Sequence, residues 1–100
     1  HRCADMATAL DAARTAAHYA AWAVAEDAPD RARAVSMAKS ACGEAAKFIC
    51  NQGIQLHGGI GFTWELGLHR YLRRARLLDG MWGAAAWHRE RVLAASLERL

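Results

Sequence analysis

Apolar residues recur along this chain at alternating steps of three and four, a spacing that an α-helix turns into a continuous stripe. From residue 1 to about residue 26, one such stripe consists of Cys3, Met6, Leu10, Ala13, Ala17, Ala20 and Val24. A second stripe lies beside it and consists of Ala9, Ala12, Ala16, Tyr19 and Ala23. A helix that is apolar over so wide an arc, mostly through alanine, is suited to close contact with neighbouring helices on more than one side.

The same spacing returns after a short interruption at residues 26–30. Pro29 is tolerated in the first turn of a helix, and Asp27 or Asp30 can cap the helix that follows. A second helix is predicted over about residues 31–56, and its stripe is Val35, Ala38, Cys42, Ala45, Ile49, Gln52 and Leu56. Two long helices joined by a short turn predict an antiparallel hairpin.

Two shorter helices are predicted in the second half of the chain. The third covers about residues 68–78 and is broken by Asp79-Gly80, and the last covers about residues 84–100 after a turn that contains Gly83. No strand-like alternation, low-complexity linker or internal repeat is present. The sequence therefore predicts an all-α, antiparallel up-down helical bundle that forms one domain over residues 1–100.

Composition narrows the classes of function. No apolar run approaches the roughly 20 residues that span a bilayer, so we predict no membrane span and expect a cytoplasmic location. The three cysteines, Cys3, Cys42 and Cys50, are an odd number without paired spacing. They are predicted to be small buried hydrophobic residues on helices rather than a disulfide framework. The net charge of +3 is concentrated in the last third of the chain, as in an anion-binding patch or a solvated helix face.

The segment Gln55-Leu56-His57-Gly58-Gly59-Ile60-Gly61 is the most unusual part of the sequence. Its three glycines permit positive φ angles and exposed N–H groups, which can hold phosphate oxygens. No strand precedes it, which excludes a dinucleotide fingerprint, and no Lys-Ser/Thr pair follows it, which excludes a P-loop. From spacing alone, a helix C-cap followed by a chain reversal remains the alternative interpretation.

The wider segment, residues 49–65, closely resembles the link between two C-terminal helices of acyl-CoA dehydrogenases. The residues that match this family's pattern are Gln55, Leu56, His57, Gly58, Gly59, Ile60, Gly61, Phe62 and Glu65. The resemblance extends upstream around Met37-Ala38-Lys39 and downstream through residues 73–89 without a gap. It covers essentially the whole chain but only the last part of a complete member, so we expect a fragment without the N-terminal helical and middle β-domains.

The resemblance implies an FAD-dependent oxidoreductase that removes two hydrogens across the α,β carbons of an acyl-CoA thioester. It also implies contacts with the ADP part of an FAD that a neighbouring acyl-CoA dehydrogenase subunit mainly binds, made by Gln55, Leu56, His57, Gly58 and Gly59. Gly83 matches the glycine that lies beside the substrate thioester. The implied partners are therefore an acyl-CoA and a second subunit, in a homo- or hetero-oligomer.

The sequence departs from the family at the catalytic turn. The common order is tyrosine, glutamate, glycine and threonine, and the corresponding residues here are Met81, Trp82, Gly83 and Ala84. Trp82 occupies the position of the glutamate that removes the α-proton, and an indole cannot accept a proton. Loss of a positioned base lowers a rate by about a hundred- to ten-thousandfold. We assign no catalytic residue and predict that this 100-residue chain alone is inactive.

Other candidates are weaker. His57, His69 and His88 have no ligand-like spacing, so no metal site is predicted. Residues 69–76 mix basic and aromatic side chains, but nothing else in the chain indicates a nucleic-acid partner. A solvated or interface-facing helix face is predicted for Arg70, Arg73 and Arg74. Capping or surface roles are predicted for Glu65, Asp79 and Glu90.

Three functions remain open. The chain belongs to a non-catalytic subunit that completes a partner's FAD site, to a catalytic dehydrogenase whose base lies on an upstream helix, or to a truncated remnant that acts only as an interaction module. Family members with the base upstream carry a small residue at the position of Trp82, so the bulky indole favours the first function. In each case an apolar flank is expected to be left uncovered.

Overall fold

A computed structural model describes residues 1–57 and 62–98 of the chain. It contains four helices: α1 (Arg2–Ala25), α2 (Arg31–His57), α3 (Phe62–Gly80) and α4 (Ala85–Leu97). No strand occurs among the described residues. Helix α2 is central and packs against each of the other three, and the bundle measures 51 × 25 × 24 Å. The predicted all-α bundle is confirmed.

The core is built almost entirely from alanine. Its main cluster lies where the end of α1 meets the start of α2 and consists of Ala20, Ala23, Ala28, Ala34 and Ala38, with Ala16 packed against it. No large side chain among the described residues is fully buried. Because each alanine removes little apolar area from water, the bundle depends on close approach of the helix backbones.

The contact face of α1 is narrower than its sequence pattern predicts. Ala13, Ala20 and Ala23 are buried, whereas Leu10 and Val24 of the first predicted stripe are exposed. The reason is that α2 covers one side of α1, while the apolar arc of α1 extends around two. The expected uncovered flank is therefore present, and it consists of Leu10, Tyr19, Trp22 and Val24.

The link between α1 and α2 is held by two aspartates. Asp27 has a φ of 52°, a conformation that Asp tolerates better than most residues, and its carboxylate pairs with Arg31 at 3.2 Å. Asp30 directly precedes α2, and its carboxylate accepts a hydrogen bond from the Tyr19 hydroxyl at 2.7 Å. The Asp30 contact ties α1 to the first turn of α2.

Helix α3 begins at Phe62 rather than at about residue 68, and it continues through Gly80. The predicted break at Asp79-Gly80 is wrong, and the helix also includes Gly67 before the predicted start. A single glycine costs a helix only about 1 kcal/mol relative to alanine, and good helix formers such as Leu66 and Leu68 flank Gly67. Helix α4 ends at Leu97, and residues 99 and 100 of the predicted fourth helix lie outside the described residues.

The three cysteines are free, and they differ in exposure. The prediction of burial is wrong for Cys3, which is exposed because it lies in the first turn of α1, beyond the buried alanines. Cys42 and Cys50 are half-buried, and Cys42 Sγ lies 3.6 Å from the Ala13 carbonyl oxygen. Burial raises the pKa of the Cys50 thiol.

We expect iodoacetamide to modify Cys3 about tenfold faster than Cys50 near pH 8. The thiolate is the reacting form, and a raised pKa together with partial burial lowers its concentration and access at Cys50. The measurement is the time course of alkylated peptides by mass spectrometry. In urea the two rates should converge, and faster modification of Cys50 in the folded protein would contradict the expectation.

Candidate functional site

The predicted FAD-contact segment starts at the C-terminal end of α2. Gln55 and Leu56 are exposed, so neither is used to hold the bundle together. His57 is the last residue of α2, and its side chain lies outside the described residues. Gly58 and Gly59 also lie outside them. Helix α3 begins at Phe62. In the sequence, the glycine segment therefore connects α2 to α3.

The turn between α3 and α4 places Trp82 in an unusual backbone conformation. Its φ is 62°, in the left-handed region, which costs a residue with a side chain about 1–2 kcal/mol. The Trp82 side chain is 85% exposed. The indole at the position predicted to correspond to the family's glutamate is therefore largely exposed to solvent.

Gly83 is required by conformation and by space. Its φ is 95°, and a Cβ added there would lie 3.0 Å from both His88 Nε2 and Trp87 Cε3. Any side chain at this position would be strained and would displace the His88 ring. The predicted substrate-contact glycine is thus also the residue that lets the turn approach α4.

His88 ties the turn to two helices. Its ring is 6% exposed, its Nε2 lies 2.8 Å from the Trp82 carbonyl oxygen, and its Nδ1 lies 3.0 Å from Ser36 Oγ on α2. Because a carbonyl oxygen only accepts hydrogen bonds, Nε2 carries the proton. When the imidazole is neutral, Nδ1 then accepts a hydrogen bond from the Ser36 hydroxyl. Trp87 meets the ring edge-on at 4.7 Å between centroids.

Two lysines of α2 hold the end of α3. Lys39 Nζ donates to the carbonyl oxygens of Leu78 and Asp79 at 3.1 and 3.2 Å, and Lys47 Nζ pairs with the Asp79 carboxylate at 3.3 Å. The predicted surface or capping role is wrong for Asp79, whose side chain is only 15% exposed. The lysines reach it because α3 packs along α2. The same prediction is confirmed for Glu90, which is exposed, and the Glu65 side chain lies outside the described residues.

The two predicted site segments lie at opposite ends of α2. The Trp82 turn is attached to Ser36 near the start of the helix, and Gln55 is near its end. With a rise of about 1.5 Å per residue, α2 carries Gln55 roughly 28 Å beyond Ser36. The structure therefore does not bring Gln55 and the Trp82 turn together within one chain.

The arginines of α3 form the solvated face that the sequence predicts. Arg70, Arg73 and Arg74 are exposed, while Leu72 and Ala75 are buried. A different set of arginines surrounds the catalytic turn. A groove of about 550 Å³ lies between α2 and α4. Its lining includes Arg31, Arg33 and Arg91 together with Trp82 and Trp87.

Sequence reasoning missed the pair of His88 and Ser36. His88 was considered only as a metal ligand, and its spacing from Trp82 matches no helical or metal-binding pattern. The one available signal was a histidine one turn beyond a glycine, which is too common to be specific. Within residues 1–57 and 62–98, no three His, Cys, Asp or Glu side chains are grouped as metal ligands. No helix in that part of the chain is long and apolar enough to cross a membrane.

A glycine-rich link after the second helix and a tight turn before the last helix of an all-α bundle agree with the predicted resemblance to the C-terminal helical domain of acyl-CoA dehydrogenases. The chain belongs to this family: the model of the acyl-CoA dehydrogenase C-terminal domain matches residues 1–97. The predicted resemblance is confirmed.

Several curated relatives are similar to the chain. It is 42% identical over 76 residues to YngJ, a probable acyl-CoA dehydrogenase of Bacillus subtilis, an alignment that covers 76% of this chain and 20% of that protein. It is 40% identical over 95 residues to the acyl-CoA dehydrogenase FadE34 of Mycobacterium tuberculosis, an alignment that covers 94% of this chain and 13% of that protein. It is 38% identical over 74 residues to mitochondrial isobutyryl-CoA dehydrogenase of Bos taurus, an alignment that covers 74% of this chain and 18% of that protein. The chain thus spans a fifth or less of the length of these three relatives, and no solved structure matches it.

Proposed function

We propose that the chain is the C-terminal helical domain of a non-catalytic subunit of an FAD-dependent acyl-CoA dehydrogenase, and that it completes the FAD site of a partner subunit. The observation that carries the proposal is Trp82, which occupies the glutamate position of the family pattern and projects its indole outward. Indole has no basic lone pair, so position 82 cannot remove the α-proton of an acyl-CoA.

The described carboxylates near the turn do not replace the missing base. Asp79 is mostly buried and faces Lys47 of α2. Glu90 is exposed on α4, two helical turns beyond Trp82. A general base must reach the proton that it removes to within hydrogen-bond distance. Asp79 is committed to Lys47, and Glu90 belongs to α4 rather than to the turn.

The end of α2 and the start of α3 fit the ADP part of FAD. Gln55 and Leu56 are exposed, so they are available to a ligand outside the chain's own core. The first N–H groups of α3 have no partners within the helix and carry partial positive charge. They begin at Phe62, directly after the glycine segment, in a setting that favours a pyrophosphate. The residues that would hold the group are Gln55, Leu56, His57, Gly58 and Gly59.

The length of α2 supports the assignment of this FAD to a neighbouring subunit. Gln55 lies roughly 28 Å along the helix from Ser36, to which the Trp82 turn is attached through His88, so each end of α2 faces different surroundings. Bound FAD would accept the hydride that leaves the β-carbon of the substrate. This chain's own part is to hold the ADP end and to close the site.

The substrate class follows from the family. The bovine relative is named for isobutyryl-CoA, and a rat relative is named a short-chain specific acyl-CoA dehydrogenase. We propose an acyl-CoA thioester as the ligand, with Gly83 beside it, and a cytoplasmic hetero-oligomer as the working form.

A gentle purification of the intact protein tests the proposal. The visible absorbance of flavin and the mass spectrum of co-purifying chains are the two measurements. We expect FAD together with a second dehydrogenase chain that retains the glutamate. A homo-oligomer that oxidises acyl-CoA would place the base on an upstream helix instead, and a preparation with neither flavin nor partner would contradict a role in a flavoenzyme.

A further inference from the structure

We propose that His88 is a positioning residue: it fixes the backbone carbonyl of Trp82 and thereby sets the direction in which the side chain at position 82 projects. The importance of that direction rests on the proposed function, in which position 82 faces the reacting part of a bound acyl-CoA. The positioning itself rests on contacts within this chain.

The His88 ring is held at both nitrogens. Its backbone belongs to α4, its Nδ1 meets Ser36 of α2, and its Nε2 meets the Trp82 carbonyl. Both His88 and Ser36 are buried. A buried polar group that loses its partner is costly. Rotation of the ring away from the turn is therefore disfavoured, because it would break the hydrogen bonds of both ring nitrogens.

The turn is strained in the place where His88 holds it. Trp82 and Gly83 have consecutive positive φ angles, and a bulky residue in this region is a true outlier. Such strain persists where the surroundings determine the conformation. The bond from Nε2 fixes the peptide plane that follows Trp82. Together with the φ of 62°, this plane fixes the direction of the Trp82 Cα–Cβ bond.

Other contacts limit how far the turn can relax. The Met81 N–H donates to the Leu78 carbonyl at 3.2 Å, and the His88 N–H donates to the Ala84 carbonyl at 3.1 Å. These bonds fix the two ends of the turn to α3 and α4. His88 is the side chain that fixes its middle, so whichever residue occupies position 82 is presented in the same direction.

Two substitutions of similar size separate positioning from general packing. In His88→Gln the amide nitrogen lies about as far from Cβ as Nε2 does, so the donor to the Trp82 carbonyl is kept. In His88→Asn the amide reaches only as far as Nδ1 does, so that donor is lost. Hydrogen–deuterium exchange of the intact protein, read by mass spectrometry on a peptide covering residues 80–87, is the measurement.

We expect the turn amides to exchange about tenfold faster in His88→Asn, the effect of losing one buried hydrogen bond, and near the native rate in His88→Gln. Equal acceleration in both variants, or in neither, would overturn the proposal. If His88→Asn does not fold, Ser36→Ala decides: it removes the Nδ1 partner on α2 without touching the turn. Faster exchange at residues 80–87 in Ser36→Ala supports positioning through His88, and unchanged exchange refutes it.

Binding of acyl-CoA and retention of FAD by the unsubstituted protein are measured separately. If the protein binds neither while the exchange pattern is as expected, the proposed function fails and the positioning role stands. If it binds both ligands while the exchange pattern is absent, the proposed function stands and the positioning role of His88 fails.

Discussion

Replacing Trp82 with glutamate is expected to raise acyl-CoA dehydrogenation by about a hundred- to ten-thousandfold in the intact, FAD-loaded protein whose partner subunit has its glutamate replaced by glutamine. The substitution adds a carboxylate at the family's catalytic position, and the turn that carries it is already held by His88 at 2.8 Å from the residue's carbonyl oxygen. The measurement is the rate of flavin bleaching by an acyl-CoA under anaerobic conditions, where each reduced flavin reports one hydride transferred.

Trp82→Gln is the matched control for this experiment. Glutamine has the size and backbone preferences of glutamate but cannot accept the α-proton, so its rate should stay at the background of the unsubstituted protein. Equal rates for the two variants would show that the gain comes from removing the indole rather than from adding a base. High activity of the unsubstituted protein, in an assembly whose partner subunit has its glutamate replaced by glutamine, would place the base elsewhere in this chain.

Replacing Lys47 with methionine is expected to lower the free energy of unfolding by about 2 kcal/mol. Breaking a buried ion pair leaves one charge without compensation, which costs about 3–5 kcal/mol when burial is complete. Here the Lys47 and Asp79 side chains are 32% and 15% exposed, so water moderates the cost. Asp79 Oδ1 is buried and has no hydrogen-bond partner, so the remaining carboxylate is poorly solvated. The shift of the urea midpoint is the measurement.

The pair between Arg89 and Glu44 provides the control. It joins α4 to α2 at 2.6 Å, but its side chains are 57% and 50% exposed. Exposed ion pairs contribute little, so Arg89→Met should change the free energy of unfolding by no more than about 0.5 kcal/mol. If Lys47→Met is equally mild, then the Asp79 carboxylate is not dependent on its lysine and the end of α3 is held by other contacts.

The fold was accessible to sequence reasoning because helix periodicity is a local property. The stripes of α1 and α2 predicted both helices to within two residues of their ends. The start of α3 was not predicted, and the helix runs through Gly67 because the neighbouring residues outweigh the cost of one glycine. The contact faces of the helices were less predictable than the helices themselves. Alanine can lie on a buried or an exposed face, so the pattern alone did not show which side of α1 would contact α2.

The candidate site was predictable only where it repeats a family pattern. Gln55 and Trp82 were identified by their positions in such patterns. His88, Ser36 and Lys47 were not, because their contacts join residues that are distant in sequence and depend on how α2 packs against α3 and α4. Asp79 was misjudged for the same reason: an acid before a turn is usually solvated, and only the packed structure places a lysine against it.

Helix α2 acts as a spacer of fixed length and phase. Its start is joined to the Trp82 turn through Ser36, and its end leads into the glycine segment. Inserting or deleting a single residue between them would rotate one end relative to the other by about 100° and shift it by about 1.5 Å. The number of residues in α2 between positions 36 and 55 is therefore constrained by the placement of both ends, independently of which side chains the helix carries.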